Sequence, residues 1–468
     1  MMRNASTIIL AIVCLAGCTM APTYSRPALP IPADWPTGPA YKGTDEGRTN
    51  SQAADIGWRQ FYTDERLQKV ILLALNNNRD LRVAAFNIEK ARSLYRIQRA
   101  ALFPEISALG DINDQRYPAY PPLTDKAIIL REYDVGLGVS SWEIDFFGRL
   151  RSLKASALEQ YLATEQTLRS AQIALMAEVA LAYLTYAADR ENLKLSQSTL
   201  AARQATYSLI GRRFDVGASS ALDLRQAQTL MESARVDVAG YTRLVALDEN
   251  ALDLLAGTPV PSELLPEELN AVTPPQDISP GLPSESLLRR PDILQAENQL
   301  KAANANIGAA RAAFFPRITL TTSIGTSSAE LSGLFKAGSG VWAFAPQITL
   351  PIFDAGSRSA NLQVAKADRD IYLALYEKAI QTAFKEVADA LAQRGTVGDQ
   401  IAAQESLVQA SVETYTLSNA RYVKGIDSYL AVLDAQRSLY TGQQGLITLR
   451  LARLNYLVTL YKVLGGSG

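Results

Sequence analysis

A helical turn that occurs twice in this chain limits the architectures that the sequence can adopt. Residues 421–436 read RYVKGIDSYLAVLDAQ, and residues 213–228 read RFDVGASSALDLRQAQ. The two segments lie 208 positions apart and share an arginine, an aromatic residue, a glycine and a final Ala-Gln pair. A repeated helical hairpin predicts that the chain contains two copies of one structural unit.

Each copy predicts one helix that ends at a glycine and a second helix that begins directly after it. Gly217 and Gly425 suit the position just beyond a helix C-terminus, because glycine adopts a positive φ without a Cβ clash. In the second copy, either Asp427 or Ser428 caps the helix that follows. The two glycines therefore mark the tips of two helical hairpins.

The composition argues against several classes of function. The chain has 468 residues, a formal net charge of -1 and no histidine. Its two cysteines, Cys14 and Cys18, both lie near the N-terminus. The charge gives no electrostatic case for nucleic acid, and the missing histidines remove the commonest general base and metal ligand. The sequence predicts neither an enzyme nor a resident cofactor or metal.

The N-terminus has the form of a bacterial lipoprotein signal. Arg3 precedes an apolar stretch at 7–16, and residues 15–18 read LAGC. This pattern predicts a signal peptide at 1–17 and a covalent lipid on Cys18, as N-palmitoyl and S-diacylglycerol groups. The alternative is an ordinary signal peptide that contains cysteine. By resemblance to enterobacterial lipoproteins, Thr19 in place of aspartate favours sorting to the outer membrane.

Shifts in composition divide the mature chain into four segments. Residues 18–57 are predicted to form a lipid-anchored, proline-rich tail. Residues 58–257 form the first repeat, residues 258–283 form a proline-rich linker, and residues 284–468 form the second repeat. Each repeat is predicted to contain short helices, two strands, a long helix and a helix after the glycine turn.

Four segments alternate apolar and polar residues with the period of a half-buried strand, at 106–113, 133–139, 318–324 and 342–348. No stretch after residue 20 is apolar for the roughly 20 residues that a membrane helix needs. A membrane-spanning part would therefore consist of strands. Four strands cannot close a barrel alone, and an open sheet edge is not viable in lipid. Other copies of the chain would have to complete it.

The helices are predicted to be unusually long. The segment 149–214 contains no proline, and at 1.5 Å per residue it would extend for about 95 Å. Apolar residues recur every seventh position in the helices that follow both turns, which is a coiled-coil pattern. These rows form seams either within one subunit or between subunits: Leu224, Met231, Val238, Val245 and Leu252, and then Leu433, Tyr440, Ile447, Leu454 and Tyr461.

Three segments carry a resemblance to a known family. They read LRRPDI at 288–293, IGAARAAFFP at 307–316 and LDAQRSL at 433–439. The chain resembles the outer membrane factors (TolC/OprM-like channel subunits), and among them the NodT-type efflux lipoproteins. The resemblance implies an α+β membrane protein with a TolC-like fold. Three copies would form a twelve-stranded transmembrane barrel that continues into a periplasmic α-helical coiled-coil barrel.

The resemblance also implies the function and the partners. The protein would be the exit duct of a tripartite efflux system in the outer membrane of a Gram-negative bacterium. As a homotrimer, it would conduct drugs or other small molecules from a periplasmic adaptor and an inner-membrane pump of the resistance-nodulation-division type. The alternatives are a channel for type I protein secretion and a structural periplasmic coiled-coil lipoprotein without a pore.

The family's periplasmic gate maps onto the second turn and its surroundings. By the resemblance, Asp434 forms a three-fold ring of carboxylates where the tunnel is narrowest, which would attract cations. The alternative is an exposed carboxylate paired with Arg437 one turn on. Tip-closing contacts are assigned to Arg421, Tyr422, Asp427 and Asp223; for the two aspartates, the alternatives are helix caps or solvated groups.

Overall fold

The computed structural model describes residues 19–42, 56–119, 126–278 and 287–466. The predicted signal peptide and Cys18 lie outside the described residues. The helices are α1 Trp58–Phe61, α2 Glu65–Asn77, α3 Arg79–Ala100, α4 Arg149–Asp215, α5 Ala221–Ala256, α6 Pro291–Ala312, α7 Ser357–Val423 and α8 Tyr429–Val463. The strands are β1 Ile106–Tyr117, β2 Ile128–Ile144, β3 Arg317–Ser328 and β4 Gly340–Thr349.

The chain forms two compact units. The first contains the described parts of Met1–Ala28, Asn87–Glu165 and Gln295–Tyr376, and therefore all four strands. The second contains the described parts of Leu29–Phe86, Gln166–Leu294 and Glu377–Gly468, and it is built around helices. The long helices α4 and α7 contribute residues to both units.

The four strands form one antiparallel sheet in the order β1-β2-β3-β4. Ile106 of β1 pairs with Val139, and Leu137 of β2 pairs with Ile324. In β2 the register shifts between Val139 and Trp142, around Ser141, whose φ is +51°. All four predicted strands are present, and the longest, β2, has 17 residues.

The sheet has one mainly apolar face and one mainly polar face. Side chains opposite each other in a sheet point to the same side, so the register gives both sets. The mainly apolar face carries Ile106, Ile112, Tyr133, Val135, Leu137, Val139, Trp142, Leu320, Ile324, Trp342, Phe344 and Ile348, together with Asp114, Arg131, Thr322, Thr326 and Ser328. The other face carries Ser107, Asp111, Asn113, Asp134, Gly136, Gly138, Thr319, Thr321, Ser323, Gly325, Ala343, Ala345 and Gln347, together with Leu109, Leu130 and Val341.

The expected half-burial is not seen in β1 and β4 of the single chain, whereas β2 and β3 are partly buried. Every residue of β1 and β4 is exposed, including apolar ones such as Ile112 and Trp342. The reason is physical: the described residues leave much of the apolar face uncovered, including Ile106, Ile112, Trp342 and Phe344. Such a face in a monomer marks a surface that another protein or a membrane covers.

The helices follow the predicted pattern closely. α4 ends one residue beyond its predicted end, and α7 ends at Val423. One stretch within α4 is long and apolar enough to cross a membrane, but 61% of that window is buried inside the protein. The seven-residue row of apolar side chains in α8, from Leu433 to Tyr461, is buried within the single chain at all five positions. This row therefore forms a seam inside the subunit. In α5, Met231, Val245 and Leu252 are buried likewise.

Candidate gate and anchor sites

The tips of the two helical hairpins have the same backbone geometry. Gly217 has φ +75° and Gly425 has φ +74°. After α7, the Ile426 amide donates to the Arg421 carbonyl at 3.0 Å, and the Gly425 amide donates to the Tyr422 carbonyl at 2.9 Å. This pair of bonds is the Schellman motif, which ends a helix at a residue of positive φ. The predicted glycine turns are confirmed.

The helices that follow the two turns begin differently. Ser220 and Asp223 form a capping box, in which each side chain accepts from the other residue's backbone amide. Ser220 is therefore the N-cap of α5, and Asp223 completes the capping box from the third helical position. Ser428 occupies the N-cap position of α8, although its side chain makes no capping bond. Asp427 is not the cap.

Asp427 forms an ion pair with Arg421 across the second turn. Arg421 Nη2 donates to Asp427 Oδ1 at 3.0 Å, and Nε bonds to the second oxygen. The hydrogen bonds between them lower the pKa of Asp427 and raise the pKa of Arg421. The pair joins the last turn of α7 to the start of α8. Because both groups are largely solvent-exposed, the contribution of this pair to stability is small.

Aromatic contacts join the two hairpins in a shared core. The ring of Tyr422 lies 5.1 Å from that of Tyr429, and the guanidinium of Arg213 lies 5.3 Å from the Tyr422 ring centroid. Tyr422 therefore contacts residues of both hairpins. The buried members of this tip core are Ile210, Ala227, Leu230, Tyr429, Val432 and Leu433. The seven-residue pattern predicted that Leu433 is buried, whereas the burial of Ile210 and Tyr429 was not predicted.

A buried arginine lies beside the tip core, on the side away from the two turns. Arg203 of α4 donates to the carbonyl of Leu230 at 3.0 Å, and its guanidinium lies 5.2 Å from the Tyr440 ring. Burial lowers the pKa of Arg203. The residue thereby contacts both α5 and α8. Sequence inspection missed it, because an arginine in a long amphipathic helix is usually solvated.

Asp434 faces away from this core. Its side chain is 63% exposed, although its neighbours Leu433 and Ala435 are buried. Arg437 approaches it at 3.8 Å and is 67% exposed. The structure does not bring Asp434 to the Arg421–Asp427 pair. Its carboxylate is therefore available to groups outside the single chain, and the ring of three remains a prediction.

Sequence inspection also missed a buried arginine clamp beside the motif at 288–293. Arg290 makes two bonds to Asp292 (3.0 and 2.7 Å), one to Glu386 (2.8 Å) and one to the carbonyl of Val463 (2.6 Å). It thus connects the start of α6, the middle of α7 and the end of α8. The Arg290 side chain is only 8% exposed, whereas the carboxylates of Asp292 and Glu386 are half-exposed. The only available signal was the family motif, which does not specify partners.

In the first unit, residues 19–28 form an N-terminal strap along α6. A row at every seventh position of α6 holds it: Arg311 donates to the Met20 carbonyl, and Asn304 donates to the Pro22 carbonyl. Six extended residues and fourteen helical residues both cover about 20 Å. The contacts between the strap and α6 can therefore recur along the whole row, because both segments advance by the same length.

The third position of the row, Glu297, is the strongest attachment of the strap. Arg26 donates to both its oxygens at 3.0 and 2.8 Å, and the Tyr24 hydroxyl donates at 3.1 Å. Burial alone would raise the pKa of Glu297, but Arg26 and Lys301 outweigh it and hold the pKa below its usual value. The carboxylate is therefore ionised at neutral pH.

The outer end of the strap lies at the start of α4. The Thr19 and Ser152 hydroxyls are 3.1 Å apart. A Cβ added at Gly308 would lie 2.6 Å from the Ala21 nitrogen, so only glycine permits this approach of strap to helix. Thr19 is thus held beside Ser152 in the first turn of α4.

Comparison with known proteins decides the family. The sequence profile of the family described as "Outer membrane efflux protein" matches residues 70–258 and 282–466. The chain belongs to this family. The prediction of an outer-membrane efflux protein, made from the motifs, is confirmed.

Relatives match over almost the whole chain. The probable efflux pump outer membrane protein TtgC of Pseudomonas putida is 50% identical over 468 residues, covering 100% of this chain and 96% of TtgC. Outer membrane protein OprJ of Pseudomonas aeruginosa is 44% identical over 463 residues, covering 99% of this chain and 95% of OprJ.

Solved structures of related channels have the same fold. The open state of the MtrE outer membrane channel of Neisseria gonorrhoeae has a TM-score of 0.86 and 40% identity, covering 96% of this chain and 98% of MtrE. CusC has a TM-score of 0.85 and 38% identity, covering 96% of this chain and 100% of CusC. The predicted TolC-like fold is confirmed.

Proposed function

We propose that this outer-membrane efflux protein is a passive exit duct, which receives drugs or other small molecules from a periplasmic adaptor and an inner-membrane pump of the resistance-nodulation-division type. The observation that carries the proposal is the two-faced sheet. Its apolar face suits lipid and its polar face suits a water-filled lumen. The names of relatives, such as a toluene efflux protein and an antibiotic efflux protein of Pseudomonas putida, support export of small molecules. The duct performs no chemical reaction, and the pump supplies the energy.

The assembly is a homotrimer. Within the described residues, β1 and β4 each have one edge without a strand partner. In lipid those backbone groups need hydrogen bonds, and pairing β1 of one copy with β4 of the next provides them. Three copies give twelve strands, which is enough to enclose a lumen. Native mass measurement of the detergent-solubilised protein tests this. A stable monomer that keeps its strands would contradict it.

The protein is anchored by lipid on Cys18, in addition to its barrel. The support is the LAGC pattern at residues 15–18, together with the position of Thr19, which lies next to Ser152 in the unit that holds the sheet. Cys18→Ser is expected to abolish incorporation of labelled palmitate, with Cys14→Ser as the control. Unchanged labelling of the Cys18→Ser protein would refute the anchor.

Asp434 forms the acidic ring of the periplasmic gate. Its exposed position next to a buried seam supports this role, because a carboxylate that projects from the single chain can face the axis of the trimer. Asp434→Ala is expected to weaken cation selectivity and block by divalent cations in bilayer recordings, since three carboxylates attract cations.

The matched control for Asp434 is Glu232→Ala. Glu232 pairs with Arg235 three residues on, as Asp434 does with Arg437. The control should leave selectivity unchanged. Equal behaviour of the two variants would show that Asp434 is an ordinary surface carboxylate, and the exit-duct assignment would stand without this gate.

A further inference from the structure

A cavity lies in the first unit at the end of the sheet where the strands meet the helices. Its volume is about 450 Å³, which is the size of a cavity that holds a small molecule. Its walls come from the end of β2, the start of α4, the end of α6, the start of β3 and the end of β4. All of these segments belong to one compact unit, so a single chain builds the cavity.

The bulge in β2 turns Glu143 towards this cavity. Between Val139 and Trp142, two residues of β2 lie opposite Thr321 alone. Because side chains alternate along a strand, Glu143 would share the mainly apolar face with Val139 if the extra residue were absent. The bulge instead puts Trp142 on that face and Glu143 on the mainly polar face, where it lines the cavity. Ser141 within the bulge has φ +51°, a conformation that costs energy for a residue with a Cβ and that recurs at functional sites.

Glu143 is held between two arginines. Arg149 donates through Nε and Nη2 to the two Glu143 oxygens at 2.9 and 2.7 Å, and Arg317 Nε lies 2.7 Å from Glu143 Oε2. The Glu143 side chain is 10% exposed, whereas the Arg317 side chain is 57% exposed. A guanidinium carries donors on each of its nitrogens. A contact through Nε therefore does not use the donors on the two terminal nitrogens of Arg317.

The charged groups of the wall leave one positive charge in excess. Among the described residues that line the cavity, the one other charged side chain is Asp145. It accepts from the Leu150 and Arg151 amides at 3.0 and 2.8 Å, and it pairs with the Arg151 side chain at 3.1 Å. Asp145 is thus neutralised at the start of α4, and Glu143 balances only one of the two arginines beside it. The excess charge lies on the exposed Arg317.

Neutral polar groups and aromatic rings surround Arg317. Thr349 pairs with Arg317 across β3 and β4, and Gln347 lies two residues before Thr349 on the same face. Both side chains line the cavity and are exposed. The rings of Phe147 and Phe315 stack at 4.9 Å and line the same cavity. A guanidinium with hydroxyl and amide neighbours suits a carboxylate, and stacked rings suit a flat apolar body.

We propose that this cavity binds small aromatic anions, with the acidic group at Arg317 and the aromatic ring against Phe147 and Phe315. The cavity opens on the mainly polar face of the sheet, so its occupant is a soluble molecule and not a membrane lipid. That the occupied cavity is a stopping point inside the lumen rests on the proposed exit duct, whereas binding itself does not.

The test is binding of naphthoate to the full-length protein in detergent, measured by titration calorimetry against micelles alone. Naphthylmethanol is the uncharged probe with the same ring. Wild type should bind naphthoate about 10-fold more tightly, because a hydrogen bond to a charged group is strong but Arg317 is half-exposed. Arg317→Gln should bind naphthoate about 10-fold more weakly and lose the preference. The matched control is Arg131→Gln, which changes a strand arginine of 58% exposure on the other face and should bind like wild type.

Phe315→Leu tests the ring contact, because it keeps the charge and removes the stacked ring. It should weaken both probes to the same degree, and unchanged binding of both would refute the ring contact. Equal binding of naphthoate by wild type and a folded Arg317→Gln protein would overturn the proposal. So would a wild type without preference for naphthoate over naphthylmethanol, a comparison that needs no variant to fold. Neither result bears on the exit duct, which the mass of the trimer tests separately.

Discussion

Replacing Arg290 should destabilise the second unit by an amount that can be estimated from its contacts. Arg290→Ala removes the bonds to Asp292, Glu386 and the Val463 carbonyl together. Breaking a fully buried ion pair costs about 3–5 kcal/mol. Here the two carboxylates are 40% and 41% exposed, so water partly solvates them after the arginine is gone. The expected loss is therefore about 3 kcal/mol, near the lower limit.

The conservative variant separates charge from geometry. Arg290→Lys keeps the positive charge but loses the planar fork that bonds Asp292 and Glu386 at the same time, so about half of the loss is expected. The control is Arg235→Ala, which breaks an exposed pair and should cost less than about 0.5 kcal/mol. The stability of all three variants is measured from the loss of helix signal during thermal unfolding in detergent. If Arg290→Ala behaves like Arg235→Ala, the clamp does not stabilise the fold.

Three further predictions concern the strap and the tip. Gly308→Ala should release the strap and expose it to protease, because the added Cβ meets Ala21; Gly240→Ala, where nothing lies within 4 Å, should leave strap cleavage unchanged. Glu297→Gln should weaken strap docking, measured by the same cleavage, because Arg26 loses its ionic partner; equal cleavage of the variant and wild type would refute this. Arg421→Ala should raise single-channel conductance by loosening the second turn; unchanged conductance would show that this ion pair does not hold the tip.

Much of the fold was predictable, because the signals are local. The alternation in β1 and β4 arises from the pleat of a strand, and the row from Leu433 to Tyr461 arises from the turn of a helix. The repeated glycines at 217 and 425 mark backbone positions that other residues adopt only with strain. Each of these patterns needs only residues that are neighbours along the chain.

The lipid anchor and the acidic ring at Asp434 were predicted from residue patterns and from the resemblance, and they stay predictions. The assignment of Arg421, Tyr422, Asp427 and Asp223 to closure of the tip also stays a prediction. Within the single chain, Arg421 and Asp427 form an ion pair, and Asp223 belongs to the capping box of α5. Ser220 stands ahead of Asp223 at the spacing of a capping box, so the sequence alone contained the signal for this contact.

The tertiary structure alone decided the contacts between distant segments. Arg290 meets the carbonyl of Val463, 173 positions away, and Arg26 meets Glu297, 271 positions away. The physical reason is that the sequence specifies which face of each helix is polar, but the partner of a polar side chain depends on the register between helices. Only the packed core determines that register, and with it which charges are paired and which are buried.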